Sequence, residues 1–449
     1  MAEKDALARF FEENPLVEQI EILIPDLSGI PRGKRISPEV LRGEALPSFP
    51  SSIYALDSSG NNVDRAPLVW AEGDADRPVR LDLDTLAALP WKPSHAQVIG
   101  GLLDHDGRPF YADARAALRA LEERFAERGL GVRAAFEIEF YLLDPENDAE
   151  GRPLLPPSRR LARRPRAIEL YSHERLDEEE TFFEQALRWA ETLGLAVVAV
   201  ESEFAPGQFE INIRPSDGAV RAADQALLLE RCVRAAASAS GRRATFMAKP
   251  FEGRSGNGMH VHVSLYDADG RNLFGERPDG EAMLRRAVAG VLRSMPEAMA
   301  IFAPNANSYR RFVPGSYAPH APCWGWNNRT VAVRIPLARP NAMRIEHRVA
   351  GADANPYLVL AAILAGILDG LEQGGDPGPP VEGSAYDKLD PALPRSWESA
   401  LAAFRSGTIL RRFLDPRLLD LYALVRDTER ERFESRVTPL EYEWYLATV

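Results

Sequence analysis

Hydrophobic and polar positions alternate most strictly in residues 256–264, whose sequence is GNGMHVHVS. A period of two residues is typical of a β-strand with one buried face, so a strand is predicted here after a flexible glycine turn. Its apolar face would carry Met259, Val261 and Val263, and its polar face His260, His262 and Ser264. Two imidazoles and a hydroxyl on one face indicate the wall of a polar cavity, although a buried hydrogen-bonded histidine pair would give the same pattern.

Acidic residues alternate with apolar ones in three further predicted strands. Residues 136–140 carry Glu137 and Glu139, residues 201–214 carry Glu203 and Glu210, and residues 343–348 carry Glu346 between two arginines. Carboxylates on an apolar strand lose hydration and repel one another unless a positive charge lies between them. A divalent cation is the simplest source of that charge.

The remaining periodicity predicts an α+β protein of two units. Helices are predicted at residues 2–13, 112–128, 177–193, 217–237, 282–302, 357–371, 397–405 and 416–428. Further strands are predicted at residues 17–24, 79–83, 96–102, 195–200, 246–250 and 331–335. Because the chain is too long for one small core, we expect a small N-terminal domain at residues 1–103 and a larger one at residues 104–449. The most apolar segment, residues 357–371, is short for a membrane span and predicts a buried core helix.

Composition narrows the functional class. The net charge of −12 disfavours nucleic acid and anionic membranes as the main partners. The two cysteines in 449 residues, Cys232 and Cys323, form neither a disulfide framework nor a zinc-binding pattern. The charged, amphipathic N-terminal segment lacks the apolar core of a signal peptide. We therefore expect a cytoplasmic protein.

The polar residues of the predicted strands form a set of potential metal ligands. The set is Glu137, Glu139, Glu203, Glu210, His260 and Glu346. A ligand set in which oxygen atoms predominate suits Mg²⁺ or Mn²⁺ better than zinc. Six protein ligands are more than one such ion normally takes from protein. Two or more ions per site are therefore expected.

Residues 305–348 contain seven arginines, several of them on predicted strands. Arginine suits bidentate capture of a carboxylate or phosphate, whereas the alternative is solvated surface arginine. The chain has no G-x-x-x-x-G-K-[ST] or G-x-G-x-x-G motif, so metal ions and arginines would have to hold any phosphates. The residues alone predict a metal-dependent phosphoryl-transfer enzyme.

Several motifs, in this order and spacing, resemble the glutamine synthetase family over nearly the whole chain. They are FEIEF, ESEFAPGQFEI, GNGMHVHVSL, NSYRRFVPGSYAP, NNRTVAVRIP, RIEHR and GADANPYL. The resemblance implies an N-terminal β-grasp-like domain and a catalytic domain whose curved antiparallel sheet forms half of a funnel. It also implies a dodecamer of two stacked hexameric rings, with active sites between neighbouring subunits that bind L-glutamate, ATP and an amine.

The same resemblance implies a role for each motif residue. Glu139, Glu203 and Glu210 would bind the metal beside glutamate and the amine, and Glu137, His260 and Glu346 the metal at the ATP phosphates. His262, Ser264 and Arg334 would contact the nucleotide, and Gly256, Arg311, Arg329 and Arg348 would contact glutamate or phosphate. Asp57 matches a catalytic carboxylate that a neighbouring subunit supplies for binding or deprotonating the amine.

One departure from the family pattern concerns the amine. Family members that use ammonium carry a glutamate where residues 314–319 of this chain carry Tyr317, and a tyrosine is neutral near pH 7. With Trp324 and Trp326, Tyr317 could form an aromatic wall for an alkylamine, although core packing explains either tryptophan alone. The chain thus resembles the γ-glutamylpolyamine synthetase branch, which acts on putrescine, cadaverine, spermidine or spermine.

Four alternatives remain open from the sequence. A ligase for ethanolamine, methylamine or another monoamine would share the motifs, and so would a glutamine synthetase that uses ammonia. An inactive structural or regulatory family member would have little reason to keep six buried metal ligands. A metal hydrolase built on the H-x-H pair would leave the arginine-rich segment unexplained.

Overall fold

The computed structural model describes residues 2–43, 46–160 and 162–449 and contains two β-sheets with helices packed against them. The N-terminal part comprises α1 (Ala2–Glu13), β1 (Gln19–Pro25), β2 (Pro31–Arg32), β3 (Arg35–Ile36), α2 (Pro38–Arg42), β4 (Ser48–Pro50), β5 (Asp76–Ala88) and β6 (His95–Leu102). Its strand order is β2-β1-β6-β5-β4, with β3 also paired to β1. The central strand β6 is parallel to β1, antiparallel to β5, and buried at nearly every position.

The rest of the chain builds a nine-stranded sheet and eleven helices within the described residues. The strands are β7 (Gly131–Leu143), β8 (Val197–Ser202), β9 (Gln208–Ile213), β10 (Ser216–Asp217), β11 (Arg243–Thr245), β12 (Met259–Tyr266), β13 (Trp324–Trp326), β14 (Val333–Ile335) and β15 (Ile345–His347). The helices are α3 (Ala114–Ala126), α4 (His173–Glu178), α5 (Glu180–Thr192), α6 (Ala219–Ala239), α7 (Gly280–Phe302), α8 (Pro356–Gln373), α9 (Ala385–Lys388), α10 (Trp397–Ser406), α11 (Ile409–Phe413), α12 (Pro416–Glu434) and α13 (Pro439–Tyr445).

This second sheet has the order β13-β14-β15-β12-β7-β9-β8, and β10 and β11 also pair with β7. Every described pair is antiparallel except β13–β14, which is parallel. The sheet is thus antiparallel, as expected, apart from this one pair at its edge. The connection through residues 327–332 brings β14 back alongside β13 in the same direction, with Val333 N–H donating to the Cys323 carbonyl at 3.0 Å.

Helix α8 lies in the core, as its apolar sequence predicts. It is long and apolar enough to cross a membrane, but 83% of that segment is buried inside the protein. Helix α7 packs closely against it: a Cβ atom added at Gly290 would lie 2.0 Å from the Gly366 carbonyl oxygen. These small residues allow the two helix backbones to approach, and the predicted core helix is confirmed.

Two predicted elements were wrong. The helix expected at residues 177–193 is broken at Glu179, whose carboxylate accepts hydrogen bonds from Arg175 at 2.7 Å and Arg242 at 3.0 Å. The strand expected at residues 246–250 is absent from the described structure there, because Asn257 Nδ2 binds the Met247 carbonyl and Asn307 binds both backbone groups of Lys249. Polar side chains from distant segments thus replace the partners that a strand would need.

The predicted domain division falls between the two sheets. Strands of the first sheet end at Leu102, and the second sheet begins at Gly131. Buried side chains from both parts belong to one continuous apolar cluster. The division at residues 1–103 and 104–449 therefore stays a prediction.

Candidate active site

Strand pairing gathers the polar residues of the sequence motifs on one face of the second sheet. Glu139 lies opposite Glu210, Glu137 lies opposite both Asn212 and His260, and Glu346 lies opposite both His262 and Arg334. Residues directly opposite one another on neighbouring strands have side chains on the same face. The opposite face of β12 buries Met259, Val261 and Val263 in the core. Alternation within each strand and the register between strands together position this site.

In the part of the chain that the structure describes, three sets of side chains have ligand atoms within 4.8 Å of one another and could hold a metal ion. They are Glu137, Glu210 and His260; Glu137, His262 and Glu346; and Glu139, Glu203 and Glu210. All six predicted ligands occur in these sets. The structure groups His262, rather than His260, with Glu137 and Glu346, whereas His260 lies between Glu137 and Glu210. We call the second set the Glu346 group and the third the Glu210 group.

Protein cations surround the Glu346 group. Arg334 Nη1 donates to Glu346 Oε2 at 2.6 Å, and Arg348 donates to the other carboxylate oxygen. Burial opposes ionisation of Glu346, but Arg348 and the two nearby histidines outweigh it and lower the pKa of Glu346 to about 2. Burial likewise opposes ionisation of Glu137, and His262 and His260 lower the pKa of Glu137 well below its usual value. Both acids are therefore carboxylates before any ion binds.

An arginine determines the tautomer of His262. Arg344 Nε donates to His262 Nδ1 at 3.1 Å, and a guanidinium has only donors, so Nδ1 must accept. The neutral ring then carries its proton on Nε2, which lies 2.8 Å from Glu137 Oε1. Arg344 thereby orients His262 toward Glu137. The sequence placed Arg344 on the same face as Glu346 but did not identify this role.

Among the described residues, the Glu210 group lacks a comparable set of cations. Burial, followed by the charge of Glu139, raises the pKa of Glu203 to about 8. Burial and the acids Glu137, Glu139 and Glu203 raise the pKa of Glu210 well above its usual value. The carboxylate oxygens of this group face one another, and no protein cation lies between them in the described structure. Mg²⁺ and Mn²⁺ prefer oxygen ligands of this kind. The residues present therefore fit a divalent metal.

Glycines allow a buried arginine to approach this group. Arg311 is buried, and its Nη1 donates to the Val349 carbonyl at 3.0 Å. A Cβ atom added at Gly256 would lie 2.6 Å from Arg311 Cγ, and one at Gly258 would lie 3.2 Å from Arg311 Nη2. Any larger residue would displace Arg311. Arg329, by contrast, is exposed, and its charge acts on Glu203 from the loop after β13.

Asp57 does not join the acids within this chain. Its Oδ1 accepts hydrogen bonds from the backbone N–H groups of Ser59 and Asn61, and its Oδ2 lies 2.5 Å from Arg432 Nη1. These contacts form a turn in the N-terminal part of the protein. Ser264 lies on the same strand face as His262 and is buried, with its Cα opposite that of Arg133.

The predicted aromatic wall is only partly present. Tyr317 is 55% exposed with a left-handed φ of 59°, which is strained for a bulky residue. Trp326 is 41% exposed. Trp324 is buried, and its Nε1 donates to the Gly378 carbonyl at 3.1 Å, so it packs in the core instead. For Trp324 the structure therefore agrees with core packing, the alternative explanation that the sequence left open.

Comparison with known proteins identifies the family. The family model for the catalytic domain of glutamine synthetase matches residues 111–445. The chain belongs to the glutamine synthetase family. It is a carbon–nitrogen ligase, and the fold class and family resemblance predicted from its sequence are confirmed.

Similar proteins share nearly the whole length of this glutamine synthetase family member. γ-Glutamylputrescine synthetase PuuA of Escherichia coli (strain K12) is 38% identical over 98% of this chain and 93% of that protein. Glutamate–isopropylamine ligase of a Pseudomonas species is 32% identical over 98% of this chain and 97% of that protein. The structure of apo GmaS without ligand is similar with a TM-score of 0.85 and 29% identity, over 98% of this chain and 99% of that one.

Family membership gives the acid groups a chemical context. Glutamine synthetase family enzymes use ATP and divalent metals, and the described acids and histidines could bind such ions. Two cavities lie elsewhere, one of about 630 Å³ beside α6 and one of about 1040 Å³ beside α3. Neither of these two cavities is lined by a predicted metal ligand.

Two residues near the Glu210 group escaped the sequence analysis. Tyr171 has a left-handed φ of 55° and is 57% exposed. Burial and the charges of Glu201, Glu203 and Glu210 raise its pKa, although Arg329 opposes them. Tyr171 follows a long loop without periodicity, so no pattern could reveal it. Glu201 was recognisable, since it alternates with Glu203 along the predicted strand.

Proposed function

We propose that this protein is an ATP-dependent ligase that joins the γ-carboxylate of L-glutamate to an amine through γ-glutamyl phosphate. The preferred amine is a polyamine: putrescine, cadaverine, spermidine or spermine. The observation that carries this proposal is the convergence of Glu139, Glu203 and Glu210 beside Arg311. Tyr317 lies on the loop where family members that use ammonium have an acid, which favours an organic amine. The similarity to PuuA and to an isopropylamine ligase supports an organic amine.

In the first step, a γ-carboxylate oxygen of glutamate attacks the terminal phosphorus of ATP, and the bond to the ADP oxygen breaks. Bound Mg²⁺ or Mn²⁺, with two or more ions per site, would supply positive charge that offsets the charge of the phosphates. The Glu210 group would hold one ion, and Glu137, His260 and Glu346 would hold another. Arg334 and Arg348 lie beside Glu346, where they can also contact phosphate. Ser264 and His262 would contact the nucleotide, and Arg311 and Arg329 would neutralise the transferring group.

In the second step, the amine nitrogen attacks the acyl carbon, and the bond from that carbon to the phosphate oxygen breaks. The amine must enter as a free base, so the site must accept one proton from its ammonium form. We assign this to Asp57 of a neighbouring subunit, since Asp57 does not lie among the acid sets of its own chain. Backbone at Gly256 and the buried Arg311 would hold the glutamate in place.

A dodecamer of two stacked hexameric rings would supply Asp57 across a subunit boundary. The C-terminal segment favours assembly, because it carries a series of exposed apolar side chains. These are Phe433, Val437, Leu440, Tyr442, Trp444, Tyr445, Leu446 and Val449. Apolar patches of this kind mark contacts with other proteins. We further propose a cytoplasmic location, without nucleic-acid or membrane partners.

Phosphate release from ATP and L-glutamate, assayed with ammonium, methylamine, ethanolamine, putrescine and spermine, tests the proposal. Polyamines are expected to give the highest kcat/KM, and mass spectrometry should detect the γ-glutamyl amide. Equal turnover with ammonium would contradict the proposal. Turnover without ATP, or no turnover with any of the amines, would contradict it as well. A monoamine optimum would leave the ligase intact and refute the polyamine assignment. Replacing Tyr317 with glutamate should raise kcat/KM for ammonium about tenfold.

A further inference from the structure

A fourth carboxylate extends the row of acids to the edge of the sheet. Glu201 on β8 lies opposite Glu210 on β9, which in turn lies opposite Glu139 on β7. These three glutamates therefore project from the same face of three consecutive strands. The carboxyl of Glu201 is within hydrogen-bonding reach of Glu210. Because β8 is the last strand of the sheet, Glu201 is the outermost acid of the row.

Glu201 belongs to none of the potential metal sets, and no cation of the described residues forms an ion pair with it. The sets with ligand atoms within 4.8 Å of one another contain Glu139, Glu203 and Glu210 but not Glu201. No arginine, lysine or histidine in the described part of the chain forms an ion pair with it. A partly buried carboxylate beside other acids costs free energy unless a cation approaches it. The ligand that Glu201 suits is therefore cationic and comes from outside the chain.

Partly exposed aromatic side chains lie at the end of β8, the strand that carries Glu201. The backbone N–H of Tyr171 donates to the Ser202 carbonyl at 2.9 Å, which places Tyr171 at the end of β8. Phe204, 45% exposed, follows Glu203 directly. An aromatic face can contact both an alkyl chain and an ammonium group. The surroundings of Glu201 thus combine a negative charge with surfaces suited to methylene groups.

We propose that Glu201 binds the distal ammonium group of an aliphatic diamine or polyamine and so selects these amines over monoamines. This inference rests on the proposed function. The reacting nitrogen must meet the acyl carbon near the Glu210 group, and the rest of the amine must extend toward the open edge of the sheet. Glu201 lies one strand beyond Glu210, at a spacing of about 4.8 Å between strands, which a short alkyl chain can span.

The test compares wild type with Glu201→Gln on putrescine and n-butylamine, which have the same carbon chain but differ in the second ammonium. Wild type is expected to prefer putrescine. Glu201→Gln should lower kcat/KM for putrescine about 10- to 100-fold through KM, because a charge-assisted hydrogen bond is lost. Its kcat/KM for n-butylamine should stay within about threefold. Glu184→Gln, an exposed acid on α5, is the matched control and should alter neither.

A structural or metal-binding role would give a different result. Mn²⁺ affinity, measured by calorimetry, should be unchanged in Glu201→Gln if the residue binds only the amine. Equal losses for both amines, or weaker Mn²⁺ binding, would overturn the inference, and so would an unchanged putrescine preference. A wild type that uses both amines equally would refute this inference while leaving the ligase function intact. A wild type that uses neither amine would refute the proposed function itself.

Discussion

The Glu346 group and the Glu210 group share one sheet face but obtain their positive charge from different sources. Arg334 and Arg348 pair with Glu346 in the first group, and the charges of Arg348, His262 and His260 lower the pKa of Glu346 to about 2. In the second group burial and neighbouring acids raise the pKa of Glu203 to about 8. The first group is neutralised by the protein, whereas the second requires an ion or a substrate.

This difference separates stability from function. Removing an acid from a buried ion pair leaves its cations unpaired and destabilises a fold. Removing an acid from a set of mutually repelling carboxylates relieves that repulsion, at the cost of the ligand they would bind. The same substitution in the two groups should therefore change stability in opposite directions.

The largest expected effect comes from comparing Glu346→Gln with Glu210→Gln in the metal-free protein near pH 8. Glu346→Gln should lower the free energy of unfolding by about 3–5 kcal/mol, because Arg334 and Arg348 lose a buried partner. Glu210→Gln should leave it unchanged or raise it. Urea-induced unfolding followed by circular dichroism measures both, with Glu184→Gln as the control. Similar destabilisation by both variants would show that the two groups do not differ in this way.

Activity should not follow stability in these variants. Both substitutions remove a proposed metal ligand, so ligase activity should fall about 100-fold or more in each. For Glu210→Gln that loss would occur in a protein at least as stable as wild type. Full activity in Glu210→Gln would remove this residue from the site.

The sequence predicted which side chains share a face within each site strand better than it predicted which residues lie opposite one another on neighbouring strands. Alternation placed His260 and His262 on one face of β12, but it contains no information about register. The pairing of His262 with Glu346 and of His260 with Glu137 decides which histidine joins which group. A metal set chosen from family resemblance therefore grouped His260 with Glu346, while the backbone hydrogen bonds bring His262 closer.

Local periodicity also failed where side chains from distant segments hold the backbone. The break at Glu179 depends on Arg242, and the irregular chain after Thr245 depends on Asn257 and Asn307. Such contacts depend on tertiary structure and leave no period in the sequence. Helices with a long apolar pattern, such as α8, and the buried strands β1 and β6 of the first sheet were predictable because burial alone determines them.

A smaller effect should distinguish the groups by pH. The usual pKa of a glutamate is 4.5, and that of Glu203 is raised to about 8, so folding favours its protonated form. Its contribution to the stability of the metal-free protein is thus fully present below about pH 4.5 and is lost as pH rises to about 8. Glu346 acts oppositely: with a pKa lowered to about 2, its contribution is present above about pH 4.5 and is lost as pH falls toward 2.

Thermal unfolding of metal-free protein between pH 5 and 8.5 should therefore show a midpoint that decreases with pH because of the Glu210 group. Glu203→Gln should reduce this slope, and saturating Mn²⁺ should remove it, because the ion stabilises the ionised acids. A midpoint that is independent of pH and of Mn²⁺ would contradict the raised pKa of Glu203.

The smallest expected effect concerns Arg344, which acts only on the Glu346 group. Its hydrogen bond to His262 Nδ1 keeps the ring proton on Nε2, facing Glu137. Arg344→Gln should raise the KM for ATP about fivefold through this lost orientation, with little change in the KM for the amine. Arg310→Gln is the matched control, because Arg310 is exposed and its Nη1 donates to a backbone carbonyl. The pH slope assigned to Glu203 should persist in Arg344→Gln, and its disappearance would mean that the two groups are not independent.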